Sequence, residues 1–135
     1  MASDVQCRGV RGATTVEVNS REAVLTATVE LLDAMVRANE IEPGEVASAF
    51  FTTTADLTAE FPALAARQIG WTHVAMLCGH EMAVPGSLPR CLRILLHVNT
   101  GKRADEIVHV YLRGAKVLRP DLVQKQVSPR GAVAS

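Results

Sequence analysis

The sequence predicts a small α+β fold in which about five strands form a sheet, with one long and one short helix packed against it. Three observations carry this prediction. The chain has 135 residues, which is the size of one domain. Its hydrophobic and charged fractions, 48% and 21%, are those of globular proteins and not of disordered chains. Helical spacing of apolar residues runs through only one long segment, whereas the other apolar segments are short and β-favouring.

The first strand and the long helix come first along the chain. The strand is predicted over Val5–Val16, which is rich in β-branched residues and contains an Arg-Gly-Val-Arg-Gly stretch. Asn19 is predicted to cap the helix, because Glu22 stands three positions later as in a capping box. Apolar residues then recur at three- and four-residue steps over about 18 residues, at Val24, Leu25, Thr28, Val29, Leu32, Met35 and Val36.

The remaining elements are shorter. Pro43-Gly44 ends the helical pattern, and Pro62 and Gly70 mark the two ends of a short helix at Ala63–Ile69. The further strands are predicted at Val46–Thr53, His73–Leu77, Arg90–Val98 and Ile107–Leu112, with an irregular loop at Cys78–Pro89 and with Lys116–Leu118 extending or pairing with the last strand. We expect a single domain over residues 1–135, with an ordered body at about 5–123 and a flexible tail at 124–135.

Composition excludes several kinds of partner. Fourteen Lys and Arg balance fourteen Asp and Glu, so the chain lacks the basic surface that gives most nucleic-acid affinity. The apolar runs are far shorter than the roughly 20 residues of a membrane-spanning helix. We therefore expect neither nucleic acid nor membrane as a partner. The three cysteines show no C-x-x-C spacing, which argues against disulfides and favours the reducing cytoplasm as the compartment.

The usual catalytic motifs are also missing. None of the four histidines stands in a metal-ligand spacing, and Gly9-x-x-Gly12 and Gly101-Lys102 lack the phosphate-binding fingerprints, which favours turns and close strand packing instead. Cys78 or Cys91 as a nucleophile is weakly supported, because a cysteine in an apolar strand is commonly a small hydrophobic residue. No metal site is predicted.

Arginines within the predicted strands are the strongest sign of a site. Arg11, Arg90, Arg93 and Arg119 lie in or beside apolar segments, where an unpaired buried charge costs several kcal/mol or more. At least one should meet an anion, although an arginine that reaches solvent or pairs with a carboxylate is the alternative. Because one helix covers only one face of such a sheet, we also expect self-association.

Five short motifs follow one another through most of the chain. They are R-G-V-R-G-A-T-T-V at Arg8–Val16, D-L-x-x-x-F-P-A at Asp56–Ala63, C-x-x-E-M at Cys78–Met82, C-L-R at Cys91–Arg93 and H-V-Y-L…V-L-R-P-D-L at His109–Leu122. In this order and spacing they resemble the monofunctional chorismate mutases of the AroH class, the Bacillus type. The resemblance implies a homotrimeric pseudo-α/β barrel built from mixed sheets, with active sites in the clefts between subunits. It also implies the rearrangement of chorismate to prephenate, a step toward phenylalanine and tyrosine, with no cofactor.

The same resemblance implies a set of site residues. The catalytic residues would be Arg93, facing the ether oxygen whose bond to the ring breaks, Glu81, accepting a hydrogen bond from the substrate's ring hydroxyl, and Arg11, binding a carboxylate. The other substrate-binding residues would be Leu77, Cys78, Gly79, His80, Tyr111 and Arg119, with Phe61, Ala63 and Arg67 supplied by a neighbouring subunit.

Some positions depart from the family pattern, and two other functions stay open. Leu64 stands where the resemblance leads us to expect a lysine, and the loss of that cation would weaken capture of a substrate carboxylate. Leu77 and Gly79-His80 also differ from the residues expected in the family.

One rival function is that of a trimeric imine or enamine hydrolase of the YjgF/RidA type, which also uses an interfacial arginine. The other is a non-catalytic trimeric module that binds an aromatic or dicarboxylate metabolite.

Overall fold

A computed structural model describes residues 4–122, and the predicted tail at 124–135 lies outside the described residues. The strands are β1 Gln6–Thr15, β2 Val46–Thr53, β3 Ala75–His80, β4 Cys91–Thr100 and β5 Val110–Tyr111, and the α-helices are α1 Arg21–Asn39 and α2 Ala63–Gln68. The strands form one sheet in the order β3-β2-β4-β1-β5. Strand β4 runs antiparallel to β1 and β2, whereas β3 is parallel to β2 and β5 is parallel to β1. The sheet is therefore mixed, and the predicted α+β fold is confirmed.

The two faces of this sheet differ in how far they are buried. On the covered face, alternate residues of β1, β2 and β4 pack against the buried side of α1 and are almost inaccessible to solvent, as Val10, Phe51, Ile94 and Leu96 show. On the open face, the intervening residues include Arg11, Phe50, Thr52, Arg93 and His97, which are exposed or half-buried. The alternation of side chains along each strand therefore places core residues on one face and solvent-accessible residues on the other.

Helix α1 lies unusually close to β1 at Gly12. A Cβ at this position would overlap the Sδ atom of Met35 and press against Leu31 of the helix. Glycine thus lets α1 approach the sheet closely, which agrees with the close packing expected for Gly9-x-x-Gly12.

Among residues 4–122, no helix is long and apolar enough to cross a bilayer.

The cap of α1 differs from the prediction by one residue. The Ser20 hydroxyl, and not the Asn19 side chain, accepts from the Ala23 N–H at 3.1 Å. The side-chain Oδ1 atom of Asn19 accepts instead from the backbone N–H groups of Thr58 and Ala59, each at 3.0 Å. The prediction of an Asn19 cap was wrong because a distant loop uses that side chain, and sequence spacing does not show this contact.

Strand β5 is shorter than the predicted strand at Ile107–Leu112. The buried Asn39 at the end of α1 accepts from the Val108 N–H at 2.7 Å and donates to the Val108 carbonyl at 2.8 Å. These bonds occupy the backbone at Val108, so the registered pairing with β1 begins at Val110 and includes Val110 and Tyr111. The Leu112 N–H still donates to the Ala13 carbonyl at 2.9 Å. The suggestion that Lys116–Leu118 extends this strand was also wrong, because Arg113–Val117 forms a 3₁₀-helix.

Strand β3 begins and ends later than predicted. It runs from Ala75 to His80 and pairs with β2 as far as Thr53 opposite His80. Residues 78–80, predicted as loop, therefore belong to the sheet. This extension matters because it delivers Glu81 to the edge of the open face.

Candidate active site

A cavity of about 400 Å³ opens on the open face of the sheet, and we call it the arginine cavity. Its polar lining consists of Arg11, Thr52, Glu81, Arg93, Tyr111 and Arg119, and Phe50, Leu95 and Leu118 are among its apolar walls. Five of the predicted site residues, distant in sequence, thus meet in one place.

Strand register explains how three of these side chains converge. Ala13 on β1 pairs with Arg93 on one side and with Tyr111 on the other, and Arg11 lies two residues earlier on the same strand. Residues matched in register, or two apart on one strand, project from the same face of a sheet. Two cations and a phenol are therefore placed side by side without help from any loop.

Glu81 reaches the arginine cavity from the end of β3. Its backbone N–H donates to the Thr53 carbonyl at 2.8 Å, which continues the β2–β3 pairing by one residue. Its Oε2 atom lies 3.7 Å from the Arg93 Nε atom, and the side chains of Arg93 and Glu81 are 45% and 31% exposed. The pair is close enough to orient the guanidinium and open enough to leave it accessible to a ligand.

The remaining arginines differ in how they are engaged. Within residues 4–122, the Arg11 side chain forms no ion pair or hydrogen bond, so its donors are available to an anion. Arg119 bonds to Asp121 at 3.0 and 3.2 Å, and this bond raises the pKa of Arg119 and lowers the pKa of Asp121. Arg90 lies outside the cavity, since its Nε atom donates to the Val16 carbonyl at 2.9 Å.

A cysteine lies beside Arg93 on β4. Burial raises the pKa of the Cys91 thiol, and the Arg93 guanidinium opposes that rise less strongly. Cys91 is therefore a neutral thiol at physiological pH and does not neutralise Arg93. No group of three or more His, Cys, Asp or Glu side chains within residues 4–122 is arranged to hold a metal ion.

A second cavity, of about 340 Å³, lies beside the segment that leads into α2, and we call it the loop cavity. Phe61, Cys78, Gly79 and His80 line it, with Leu57 and Thr58. The four predicted site residues here are thus separated from the arginine cavity within a single chain.

Helix α1 holds the wall of the loop cavity in place. Arg21 pairs with Glu60 at 2.9 Å, and the other Glu60 oxygen accepts from the Phe61 N–H, also at 2.9 Å. The backbone bond from Phe61, with a smaller contribution from Arg21, lowers the pKa of Glu60. These bonds hold the backbone at Phe61, whose residue is 67% exposed.

Three predicted site residues line neither cavity. Leu77 lies on the open face beside Phe50 and is 65% exposed, and Arg67 is exposed on α2. Ala63 is only 4% exposed and packs in the hydrophobic core of the chain. A single copy of the chain does not bring these residues to Arg93.

Thr52 and Leu118 line the arginine cavity but were missed by the sequence analysis. Nothing marks Thr52 in the sequence except its place in a strand, and its position opposite Arg93 depends on the β2–β4 register. Leu118 stands next to Arg119 in the V-L-R-P motif, which is the one signal that points to it.

Comparison with known proteins identifies the family. Residues 7–122 match the family model for chorismate mutase type I. The chain is 52% identical over 120 residues to the chorismate mutase AroH of Thermus thermophilus, covering 88% of this chain and 98% of that one. It is 44% identical over 116 residues to the chorismate mutase AroH of Bacillus subtilis, covering 85% and 91%.

A solved structure gives the same answer. A chorismate mutase from Clostridium thermocellum superposes with a TM-score of 0.80 at 49% identity, covering 81% of this chain and 97% of that chain. Sequence and fold therefore agree over nearly all the described residues, and the resemblance carried by the five motifs is confirmed. The chain belongs to the chorismate mutase type I family.

Proposed function

We propose that this protein converts chorismate to prephenate, and that it does so as a homotrimer whose active sites lie between subunits. The observation that carries the proposal is the arginine cavity, where Arg11 and Arg93 point from one sheet face into a space shared with Glu81 and Tyr111. The family assignment supports the same reaction.

The reaction sets modest chemical demands. Chorismate is a dicarboxylate ether, and its rearrangement is unimolecular and pericyclic, so the reaction itself requires no nucleophile or proton shuttle. An enzyme must hold the compact conformer and stabilise negative charge on the ether oxygen as the C–O bond breaks. Fixed cations and hydrogen-bond donors are sufficient for this task.

Arg93 suits the ether oxygen. It lies on β4, at the centre of the sheet, and is paired in register on both sides, with Ala13 and with Thr52. A guanidinium stays ionised at all physiological pH values, and donors held rigidly before the reaction cost no reorganisation during it. Glu81 keeps this guanidinium oriented and is placed to accept a hydrogen bond from the ring hydroxyl.

Arg11 suits a substrate carboxylate. Its donors are not engaged within residues 4–122, and a guanidinium binds a carboxylate through two parallel hydrogen bonds. Tyr111 lies one strand away and Arg119 also lines the arginine cavity, so both are placed to assist. Together these side chains give a dianionic substrate three cationic or hydrogen-bonding partners beyond Arg93.

The exposed apolar residues support assembly between copies. Phe50 and Leu77 on the open face and Phe61 beside the loop cavity are 38%, 65% and 67% exposed, which is costly for a single subunit in water. A neighbouring copy that covers this face would bring its Phe61 and Arg67 toward the arginine cavity. Ala63 would contribute only through its backbone, because its side chain is buried.

Incubation of the purified protein with chorismate tests the proposed reaction. We expect loss of the ultraviolet absorbance of chorismate with formation of one prephenate for each chorismate consumed. Size-exclusion chromatography with light scattering should give three times the mass of one chain. Failure to consume chorismate would contradict the reaction, and a monomer that retains activity would contradict the shared site.

A further inference from the structure

One polar side chain in the arginine cavity has no part in the mechanism above. We propose that Thr52 is a positioning residue, whose hydroxyl holds the Glu81 carboxylate so that Glu81 orients Arg93 without taking up its hydrogen-bond donors. The inference rests on the proposed function and adds a residue to it.

The sheet places Thr52 between the two groups that it would control. Strand β2 lies between β3 and β4, and Thr52 pairs with Gly79 on one side and with Arg93 on the other. A Cβ at Gly79 would meet no atom within 4 Å, so the space beside Thr52 is open on the β3 side. Glu81, two residues after Gly79, reaches Thr52 across this space.

One carboxylate oxygen is involved with both neighbours. The Thr52 hydroxyl donates to the Oε2 atom of Glu81, and the same Oε2 atom is the one that lies 3.7 Å from the Arg93 Nε atom. That separation is beyond hydrogen-bond length, whereas a direct arginine–carboxylate pair closes to about 2.7–2.9 Å and is often bidentate. The hydroxyl therefore holds the carboxylate where it attracts the guanidinium without bonding to it.

Removal of the hydroxyl should change the chemistry more than the fold. The released carboxylate would be free to pair directly with Arg93, and the guanidinium donors engaged in that pair would no longer be available to the ether oxygen. Substrate carboxylates would still meet Arg11, which lies on another strand. We therefore expect a fall in kcat with little change in KM.

Three variants of Thr52 test the proposal, assayed beside the wild-type protein with chorismate. Thr52→Val removes the hydroxyl and keeps the shape, Thr52→Ser keeps the hydroxyl, and Thr52→Ala removes it in case the valine variant does not fold. Ser48→Ala is the matched control, because Ser48 lies on the same face of β2 but bonds to the His97 Nδ1 atom at 2.9 Å. Thermal unfolding of each variant separates positioning from stability.

The expected pattern is specific. The hydroxyl-free variants should lose about tenfold in kcat, the effect of one hydrogen bond to a charged group, with KM changed by less than about twofold. Thr52→Ser should stay within about threefold of wild type, and Ser48→Ala should match wild type. Unfolding temperatures of the Thr52 variants should stay within about 5 °C of the wild type, the shift that the loss of one hydrogen bond produces in a domain of this size.

Three results would overturn the proposal while the wild type converts chorismate. They are unchanged kcat in both hydroxyl-free variants, a serine variant as impaired as the valine variant, and a loss of kcat that follows a loss of thermal stability. If the wild type itself fails to convert chorismate, the proposed function fails and this inference fails with it.

Discussion

The covered and open faces of the sheet use the same strands for opposite purposes. On β4, Leu92, Ile94, Leu96 and Val98 are almost fully buried against the helices, whereas the residue between the first two, Arg93, carries a half-exposed charge into the arginine cavity. One strand therefore supplies both core and candidate chemistry at neighbouring positions. The difference teaches that stability and activity should be separable here by substitutions only a few residues apart.

The largest expected effect is on the covered face. Leu96 is 0% exposed and pairs in register with Val10 and Ala49, so Leu96→Ala should lower the free energy of unfolding by about 2–5 kcal/mol. The fraction that remains folded should keep its kcat, because Leu96 does not face the arginine cavity. Urea unfolding and steady-state kinetics check the two parts. A stable variant with a low kcat would break the separation of the faces.

The next effect is on the open face. Arg93→Ala should reduce kcat by at least about a hundredfold, the typical loss when one preorganised donor is removed from developing charge. Its unfolding temperature should match that of the wild type, because the side chain is 45% exposed and packs in no core. Kinetics with chorismate and calorimetry check this outcome. Near-wild-type kcat would show that Arg93 does not face the ether oxygen.

A smaller effect is expected away from both faces, on α2. Arg67 is exposed and lines neither cavity, so its proposed role is to guide the substrate into a neighbour's site. Arg67→Ala should raise KM by about tenfold, because one charged hydrogen bond contributes about 1.5 kcal/mol, and should leave kcat nearly unchanged. Selective loss of kcat at constant KM would place Arg67 at the reacting atoms instead.

The smallest effect concerns the departure at position 64. Leu64 lies on α2 and is half-buried, and Leu64→Lys would add a cation near the proposed cleft mouth. We expect KM to fall by about two- to fivefold, in proportion to a partly screened charge worth less than about 1 kcal/mol. Raising the salt concentration should remove the gain. A higher KM at low salt would show that this position does not meet the substrate.

The sequence predicted the local features of the fold well. Strand β2 and the start of α2 have the predicted bounds, and the apolar stripe of α1 identified its buried side through Val24, Leu32 and Met35. These features depend on spacing within one segment, which the sequence displays directly.

Contacts between residues far apart in the sequence were not predicted from spacing. Asn39 bonds to Val108, 69 positions away, and so limits where β5 begins. Asn19 bonds to a loop 39 positions away instead of capping α1. Thr52 is informative only when its register with Arg93 is known. Sequence spacing does not specify which distant backbone group accepts or donates a given hydrogen bond.

The candidate site shows a similar division. The motifs named the five residues that meet in the arginine cavity, and the structure then placed Phe61, Cys78, Gly79 and His80 in a separate one. Their roles remain predictions, because one chain does not join the two cavities.

Mixing two defective variants tests the shared site most directly. Arg93→Ala and Arg67→Ala chains, each poorly active at low chorismate concentration, would be unfolded together in equal amounts and refolded so that subunits exchange. If each site takes Arg93 from one copy and Arg67 from the next, about one quarter of the sites regain both arginines. The account predicts activity near a quarter of the wild-type value. Activity equal to the mean of the two separate variants would contradict it.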